Sequence, residues 1–200
     1  EEKMTQCGVP GWYVESCKKM NYLFPKAHAV AYVMEAVRIA WFKVHRPLEY
    51  YSAYFYRRSQ KGGFDAGSMA RGIEKARAKI KQIRNDPDAK TKDEDLLTTL
   101  EACYEFYLRG FEFENIDIYK SDPVKFLIEG EKKLRPPFVA VSGLGETGAR
   151  DLAATRAGRE FISIDEISAS CPKVSKTHLE QLKALGALRD LPDSSQMSLF

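Results

Sequence analysis

Cysteine is scarce in this chain, and its four copies are far apart, at positions 7, 17, 103 and 171. None of them forms the Cys-x-x-Cys pair that structural zinc sites use, so we expect reduced thiols and no zinc. Reduced thiols are typical of the cytoplasm, which is the location we predict. Apolar runs are also short. None reaches the roughly 18 residues of a membrane-spanning helix, so no membrane partner is expected.

The first residues, Glu1-Glu2-Lys3, lack an initiating methionine, and no apolar run follows them. A secretory signal peptide would need such a run, so none is expected. The missing methionine favours a segment of a longer protein over a complete adaptor. The 200 residues suffice for one or two small domains, and 44% of them are apolar, which is enough for a core.

Charge of one sign does not dominate the chain. Lys and Arg together number 31, Asp and Glu together number 28, and the net charge is only +3. Such a balance excludes a polybasic tail as the basis of nucleic-acid binding. Any surface that binds DNA must therefore come from local clustering of basic residues and backbone N–H groups.

The chain also lacks a convincing set of metal-binding carboxylates. Two-metal nucleotidyl transfer requires convergent carboxylates that hold two ions about 3.5–4 Å apart. Asp117 is the only carboxylate between apolar strand-like residues, and the acidic residues of 86–95 occupy predicted turns and caps. We therefore predict that this chain contains no catalytic residue, no metal ligand and no cofactor of its own.

The apolar periodicity predicts a mainly α-helical α+β fold. Alternation of apolar and polar residues predicts a half-buried strand over 116–119, and a second strand follows at 126–128. Ser163 and Glu166 have the spacing of a capping box, in which each side chain caps the other's backbone N–H. Helices are predicted over residues 11–21, 25–45, 64–84, 96–108, 146–157 and 176–185.

The Gly-Leu-Gly sequence at 143–145 lies between a short apolar segment, 138–141, and the helix predicted for 146–157. The two glycines allow unusual backbone angles and leave no Cβ in the way, and Leu144 can enter the core. The following helix would then begin with uncovered N–H groups and the positive end of its dipole, which is where a phosphate binds. An ordinary tight turn between two core helices is the alternative.

The whole pattern of residues 136–156 resembles a helix-hairpin-helix motif, which holds the DNA backbone without reading bases. A second, degenerate copy without paired glycines is predicted where Ser175 caps the helix 176–185. The resemblance implies sequence-independent binding of double-stranded DNA. The predicted contacts to its backbone are Gly143, Leu144, Gly145, Thr147, Gly148, Arg150, Ser175 and Lys176.

The predicted helix 25–45 is apolar around most of its circumference. A narrow polar stripe remains, formed by His28, Tyr32, Glu35, Arg38 and His45. One explanation is a buried helix with satisfied hydrogen bonds and a Glu35–Arg38 ion pair. The other is a stripe that faces a substrate, and periodicity alone cannot choose between them.

Two long sequences, YLFPKAHAVAYV at 22–33 and RIAWFKVHRPLEYYSAYF at 38–55, resemble the fingers segment of PolC-type bacterial DNA polymerase III, a C-family replicative polymerase. The resemblance resumes at PPFVAVSGLG and at the last residues. It implies that Lys26, His28 and Arg38 lie near the incoming deoxynucleotide. It also implies that the catalytic palm, with its Mg²⁺, lies outside this chain.

The last residues, Gln196, Met197, Ser198, Leu199 and Phe200, follow a polar spacer. Apolar residues at a free terminus suit a partner's pocket, and the Gln can fix the orientation of the peptide. The sequence resembles the pentapeptide through which PolC polymerases bind the sliding clamp, their beta subunit. We therefore expect a flexible tail that binds this clamp.

These observations predict part of the fingers domain over residues 1–120, a tandem helix-hairpin-helix domain over 121–190, and a clamp-binding tail over 191–200. The predicted function is that of the C-terminal part of a replicative polymerase, whose parent protein performs template-directed DNA synthesis. The isolated segment is expected to be inactive. The alternative is a stand-alone DNA-binding or clamp-binding adaptor without a catalytic role.

Overall fold

The computed structural model describes residues 1–20 and 25–195, which form two compact units divided between Trp41 and Phe42. The prediction of a mainly helical α+β fold is confirmed. In the part of the chain that the structure describes, no helix is both long and apolar enough to cross a membrane. The helices of the first unit are α1 (Glu2–Gln6), α2 (Gly11–Lys18) and most of α3 (Lys26–His45).

Helix α3 begins and ends within a residue of its predicted bounds, but it is not a buried helix. None of its described residues is buried, and Val33, Val37 and Val44 are each more than 60% exposed. Of the two explanations of the polar stripe, the one that requires a buried helix therefore does not describe α3 in this structure. In that stripe, the rings of His28 and Tyr32 lie 4.6 Å apart in an edge-to-face contact.

The second unit starts with helices packed around large aromatic side chains. Tyr51 and Phe55 lie one turn apart, and both contact Phe106, with ring centroids 5.1 and 5.8 Å away. Edge-to-face contacts of this kind add to the stability gained from burial. The helices are α4 (Pro47–Ser59), α5 (Ala66–Met69), α6 (Ile73–Arg84) and α7 (Thr91–Leu108).

The prediction of a single helix over 64–84 is wrong, because a short non-helical segment separates α5 from α6. Asp65 caps α5 by accepting hydrogen bonds from the N–H groups of Gly67 and Ser68. Gly72, which precedes α6, has a φ of 96°, a left-handed value that few other residues adopt. Helix α7 starts five residues before the predicted bound, because Asp93 accepts a 3.0 Å hydrogen bond from the N–H of Lys90.

A three-stranded sheet follows, with β1 (Glu112–Phe113), β2 (Leu127–Glu129) and β3 (Lys133–Arg135) in the order β1-β3-β2. Strands β1 and β3 are parallel, whereas β2 and β3 are antiparallel and turn at Gly130. In β3, the buried Arg135 side chain donates a 2.7 Å hydrogen bond to Glu129. The sheet confirms the predicted small β region, although only β2 coincides with a predicted strand.

The strand predicted for 116–119 is wrong, and a turn organised by Asp117 takes its place. The Asp117 carboxylate accepts hydrogen bonds from the N–H groups of Tyr119 and Lys120, at 2.8 and 3.1 Å. It also pairs with Arg189 at 3.1 Å. Burial raises the pKa of Asp117, but these hydrogen bonds and the Arg189 guanidinium outweigh burial and hold the pKa below its ordinary value.

The remaining elements are a short 3-10 helix (Phe138–Ala140), α8 (Glu146–Thr155), α9 (Ile164–Ser170) and α10 (Lys176–Ala184). Their buried residues join those of α4 to α7 in one continuous core that extends from Leu48 to Leu188. The predicted boundary at residue 120, between a fingers part and a hairpin domain, stays a prediction. One core contains residues from both sides of that position. Residues 196–200, the predicted clamp-binding sequence, lie outside the described residues.

Candidate nucleic-acid interface

The Gly-Leu-Gly turn joins the 3-10 helix to α8. Gly143 has a φ of 79°, and the N–H of Leu144 then donates a 3.1 Å hydrogen bond to the carbonyl of Val141. The Leu144 side chain is 3% exposed, so it enters the core as predicted. Gly145 precedes α8 in an extended conformation, with a φ of −71° and a ψ of 165°. The short 3-10 helix takes the place of the first helix of a hairpin.

The first turn of α8 has backbone donors that the protein does not use. No side chain caps this helix, and the N–H groups of Gly145, Glu146 and Thr147 have no acceptor among the described residues. A Cβ built on Gly145 would have no atom within 4 Å, so this end of the helix is open. An oxyanion placed here meets several N–H groups and the positive end of the helix dipole.

One pair of charged side chains borders these donors. Glu146 and Arg150, one helical turn apart, form an exposed ion pair with a nitrogen–oxygen distance of 2.6 Å. Arg150, a predicted DNA contact, is thus paired with a carboxylate at the N-terminus of α8, which is where a phosphate would bind. Binding of a phosphate here must compete with Glu146 or release Arg150 toward the ligand.

The opposite face of α8 packs against the second hairpin. A Cβ on Gly148 would lie 2.9 Å from the Leu144 side chain and 3.0 Å from the Lys173 carbonyl oxygen. Both distances are shorter than ordinary contacts, so only glycine lets α8 approach this closely. Gly148, Ala149 and Leu152 are buried along this face. The structure therefore gives Gly148 a packing role, and its predicted contact to DNA stays a prediction.

The second hairpin consists of α9, a turn at 171–175, and α10. Ser175 accepts a 3.3 Å hydrogen bond from the N–H of His178, and Nδ1 of His178 accepts one of 3.3 Å from the N–H of Ser175. These two residues form a capping box, so both N–H groups are used within the protein. Lys176 and Thr177 are exposed between them.

The capping box predicted for the start of α9 forms only in part. Ser163 accepts a 3.2 Å hydrogen bond from the N–H of Glu166, as expected. The Glu166 carboxylate, however, bonds to the N–H of Ile162 at 2.8 Å instead of the N–H of Ser163. Ser163 is fully buried, and its own backbone is extended, with a φ of −158°. The bond that the Glu166 side chain returns is therefore made to the residue before the N-cap instead of to the N-cap itself.

The turns of the two hairpins lie side by side. Nε2 of His178 is 3.4 Å from the place where a Cβ on Gly143 would lie, which is ordinary van der Waals contact. His178 was not predicted as a site residue. The Ser-x-x-His spacing at 175–178 is the signal that could have found it, because Ser-x-x-Glu or Ser-x-x-Gln is the usual form of this box.

The first turn also borders a cavity of about 320 Å³ whose other wall is formed by residues 59–65 and Lys92. Of these lining residues, Ser59 and Phe64 are buried, and Asp65 caps α5. Lys92 adds a positive group to the lining, which also includes the helix start of α8. The cavity therefore extends the open surface beside the Gly-Leu-Gly turn.

The predicted site residues fall into three places. Gly143, Gly145, Thr147, Arg150, Ser175 and Lys176 are exposed around the paired turns, whereas Leu144 and Gly148 are buried beneath them. Lys26, His28 and Arg38 are exposed on α3, in the first compact unit. Across residues 1–20 and 25–195, no group of three or more His, Cys, Asp or Glu side chains could hold a metal ion.

Comparison with known sequences agrees with this geometry. The family model described as a helix-hairpin-helix motif matches residues 110–197, which include both hairpins. The chain is 46% identical over 200 residues to a protein of Lactococcus lactis named DNA polymerase III PolC-type, of which it covers 12%. It is 47% identical over 201 residues to the protein of that name from Bacillus cereus and 46% identical to that from Listeria monocytogenes.

These alignments include 100% of this chain and 14% of each of the latter two relatives. The chain thus spans a small part of the length of the relatives it matches. Identity of this degree along an entire chain reflects common descent and a shared fold, which confirms the resemblance in the sequence. The chain is therefore homologous over its whole length to a segment of PolC-type DNA polymerase III, and it contains a helix-hairpin-helix motif.

Proposed function

We propose that this chain is part of a cytoplasmic bacterial replicative DNA polymerase, in which it grips the DNA duplex. The observation that supports the proposal is the 46% identity along the whole chain to PolC-type polymerases, together with the helix-hairpin-helix motif. Template-directed DNA synthesis would be the activity of the parent protein. We propose that Mg²⁺ is held by a palm domain elsewhere in the parent protein, since the described residues include no cluster of carboxylates that could hold a metal ion.

The proposed grip is on one phosphate of the DNA backbone. The open start of α8 offers the N–H groups of Gly145, Glu146 and Thr147, and neither glycine of the turn has a side chain that would keep a phosphate away. Lys176, exposed in the first turn of α10, is proposed as a further positive contact to the DNA backbone. These donors reach no base edge, so binding should not depend on DNA sequence, and it should weaken with salt as counterions are released.

The test is duplex binding by the 200-residue chain with Gly145→Val. Gly145 has a φ of −71° and no neighbour within 4 Å of an added Cβ, so valine fits the fold but covers the N–H groups. We expect at least a tenfold loss of affinity for duplexes of any sequence, about 1.4 kcal/mol. Gly11→Val is the matched control, because Gly11 also begins a helix and has open space around it. Equal affinities of the two variants, or strong sequence preference, would contradict the proposal.

The second proposed role is that α3 lines the nucleotide side of the fingers. Lys26, His28 and Arg38 are exposed on this helix, where they are accessible to an incoming deoxynucleotide. In the full polymerase, Lys26→Ala and His28→Ala should lower the rate of nucleotide incorporation and leave clamp binding unchanged. Normal turnover by both variants would exclude this role.

The third proposed role belongs to the sequence at 196–200, Gln-Met-Ser-Leu-Phe, which we propose binds the sliding clamp. Burial of Leu199 and Phe200 in a pocket would contribute roughly 1.5–3 kcal/mol each before ordering costs. Deletion of these five residues should abolish clamp binding and leave duplex binding intact. A peptide of this sequence should compete. Full clamp binding by the truncated protein would refute this role.

A further inference from the structure

We infer that His178 donates a hydrogen bond from Nε2 to the same DNA phosphate that the start of α8 binds. One phosphodiester would then be held by both hairpins, with backbone donors from the first and a side-chain donor from the second. This inference rests on the proposed duplex-binding function and adds a residue to that site. His178 lies outside residues 136–156, whose sequence pattern identified the Gly-Leu-Gly turn.

The tautomer of His178 follows from its capping bond. Nδ1 accepts the hydrogen bond from the N–H of Ser175, so Nδ1 carries no proton. A neutral imidazole then has its proton on Nε2, which makes Nε2 a donor. The cap thus fixes both the orientation of the ring and the nitrogen that is available to a ligand.

The position of Nε2 directs this donor to the first hairpin. The atom lies 3.4 Å from the place of a Cβ on Gly143, and Gly143 is exposed. No acceptor for Nε2 is found among the described residues, whereas Nδ1 is used. The capping bond at Nδ1 restrains the ring before a ligand arrives, and the ring is half-buried. A phosphate on the N–H groups of Gly145 and Thr147 would border the same turn that Nε2 contacts at Gly143, so the donor would need little movement to reach it.

The substitution His178→Glu distinguishes a phosphate contact from a purely structural role, because the two roles predict opposite changes in duplex affinity. Glu is the usual partner of Ser in a capping box, so His178→Glu keeps the cap of α10 or improves it. If His178 acted only as a cap, this variant would bind duplex DNA at least as well as the wild type. If His178 contacts phosphate, the carboxylate instead removes a donor and repels the ligand.

The experiment measures duplex affinity and thermal unfolding of the 200-residue chain with His178→Glu and His178→Gln. Gln can accept from Ser175 through its oxygen and donate through its nitrogen, so we expect affinity within about threefold of wild type. His178→Glu should bind about tenfold more weakly while its melting temperature is unchanged or higher. Ala184→Glu places the same charge roughly 9 Å along the same helix, beyond the screening length of about 8 Å at physiological salt, and serves as control.

Two results would overturn the inference. One is wild-type affinity in a folded His178→Glu variant, and the other is an equal loss in Ala184→Glu, which would indicate a general charge effect. Gly145→Val, measured in parallel, separates this inference from the proposed function. If Gly145→Val weakens binding and His178→Glu does not, only the role of His178 fails. If neither variant weakens binding, both proposals fail.

Discussion

The two hairpins of this chain both lead through a turn into an α-helix, but they begin these helices in different ways. Each turn buries an apolar residue two positions before the helix, Leu144 in the first and Val174 in the second, at 3% and 4% exposure. Helix α8 then begins after Gly145 with no side-chain cap, whereas α10 begins with the reciprocal Ser175–His178 cap. The first helix start leaves its donors to a ligand, and the second uses two of its donors to stabilise itself.

This difference separates binding from stability within one compact unit. An uncapped helix start costs stability, since a side-chain N-cap typically contributes about 1 kcal/mol. The second hairpin has such a cap and supports the first, because the Lys173 carbonyl packs directly on Gly148. Each hairpin therefore has the residue type at its turn that its role requires: glycine where the backbone must be accessible, and serine where the helix must be secured.

The largest expected effect comes from breaking the contact between the hairpins. Gly148→Ala places a Cβ 2.9 Å from Leu144 and 3.0 Å from the Lys173 carbonyl, so the two hairpins must move apart. We expect a loss of about 1–3 kcal/mol in the free energy of unfolding, measured by urea denaturation. Gly145→Ala, where an added Cβ meets nothing within 4 Å, is the matched control and should cost less, at most about 1 kcal/mol, because Ala is only a weaker N-cap than Gly. Equal costs would mean that Gly148 is not a close-packing position.

A smaller effect is expected from removing the cap of the second hairpin. Ser175→Ala deletes the oxygen that accepts the N–H of His178, and should lower the free energy of unfolding by about 1 kcal/mol. Duplex affinity should stay within about twofold, because Ser175 uses its hydroxyl within the protein. A large loss of affinity without a loss of stability would show instead that Ser175 contacts DNA directly.

The smallest effect is expected from the carboxylate that borders the first hairpin's donors. Glu146→Gln removes a negative charge next to the proposed phosphate site and releases Arg150 from its ion pair. Duplex affinity at low salt should rise about threefold, an effect that salt screens because both side chains are exposed. Glu131→Gln makes the same charge change in the turn between β2 and β3, and should leave affinity unchanged. Weaker binding by Glu146→Gln would mean that Glu146 positions Arg150 for DNA.

The hairpins could be predicted from sequence because their signals are local. Gly143 and Gly145 mark a turn, Leu144 has the periodicity of a core residue, and Ser175 is a strong N-cap. The contact between Gly143 and His178 could not be predicted, because it joins residues 35 apart in sequence. Whether the N–H groups at the start of α8 are exposed likewise depends on the segments that pack around them, and no local sequence pattern predicts these.

Where the structure departs from the sequence pattern, the physical cause can be traced to single residues. Ile116 and Ile118 are both buried, which mimics the alternation of a strand, but the Asp117 side chain bonds to the next N–H groups and closes a turn. The sequence pattern includes Gly72 in a continuous helix, because its neighbours keep helical periodicity. The apolar character of α3 suggests burial, but its described residues are not buried. Periodicity shows that a helix has an apolar surface, and it does not show which segment covers that surface.

The most direct test of the difference between the hairpins is an NMR titration of the ¹⁵N-labelled chain with a short duplex. The backbone amides of Gly145, Glu146 and Thr147 lack protein acceptors among the described residues, so their protons should shift downfield as they bond to phosphate. The amides of Ser175 and His178 are already bonded within the protein and should shift less. The largest shifts at Ser175 and His178, with the amides at 145–147 unmoved, would contradict the assignment of phosphate binding to the first hairpin.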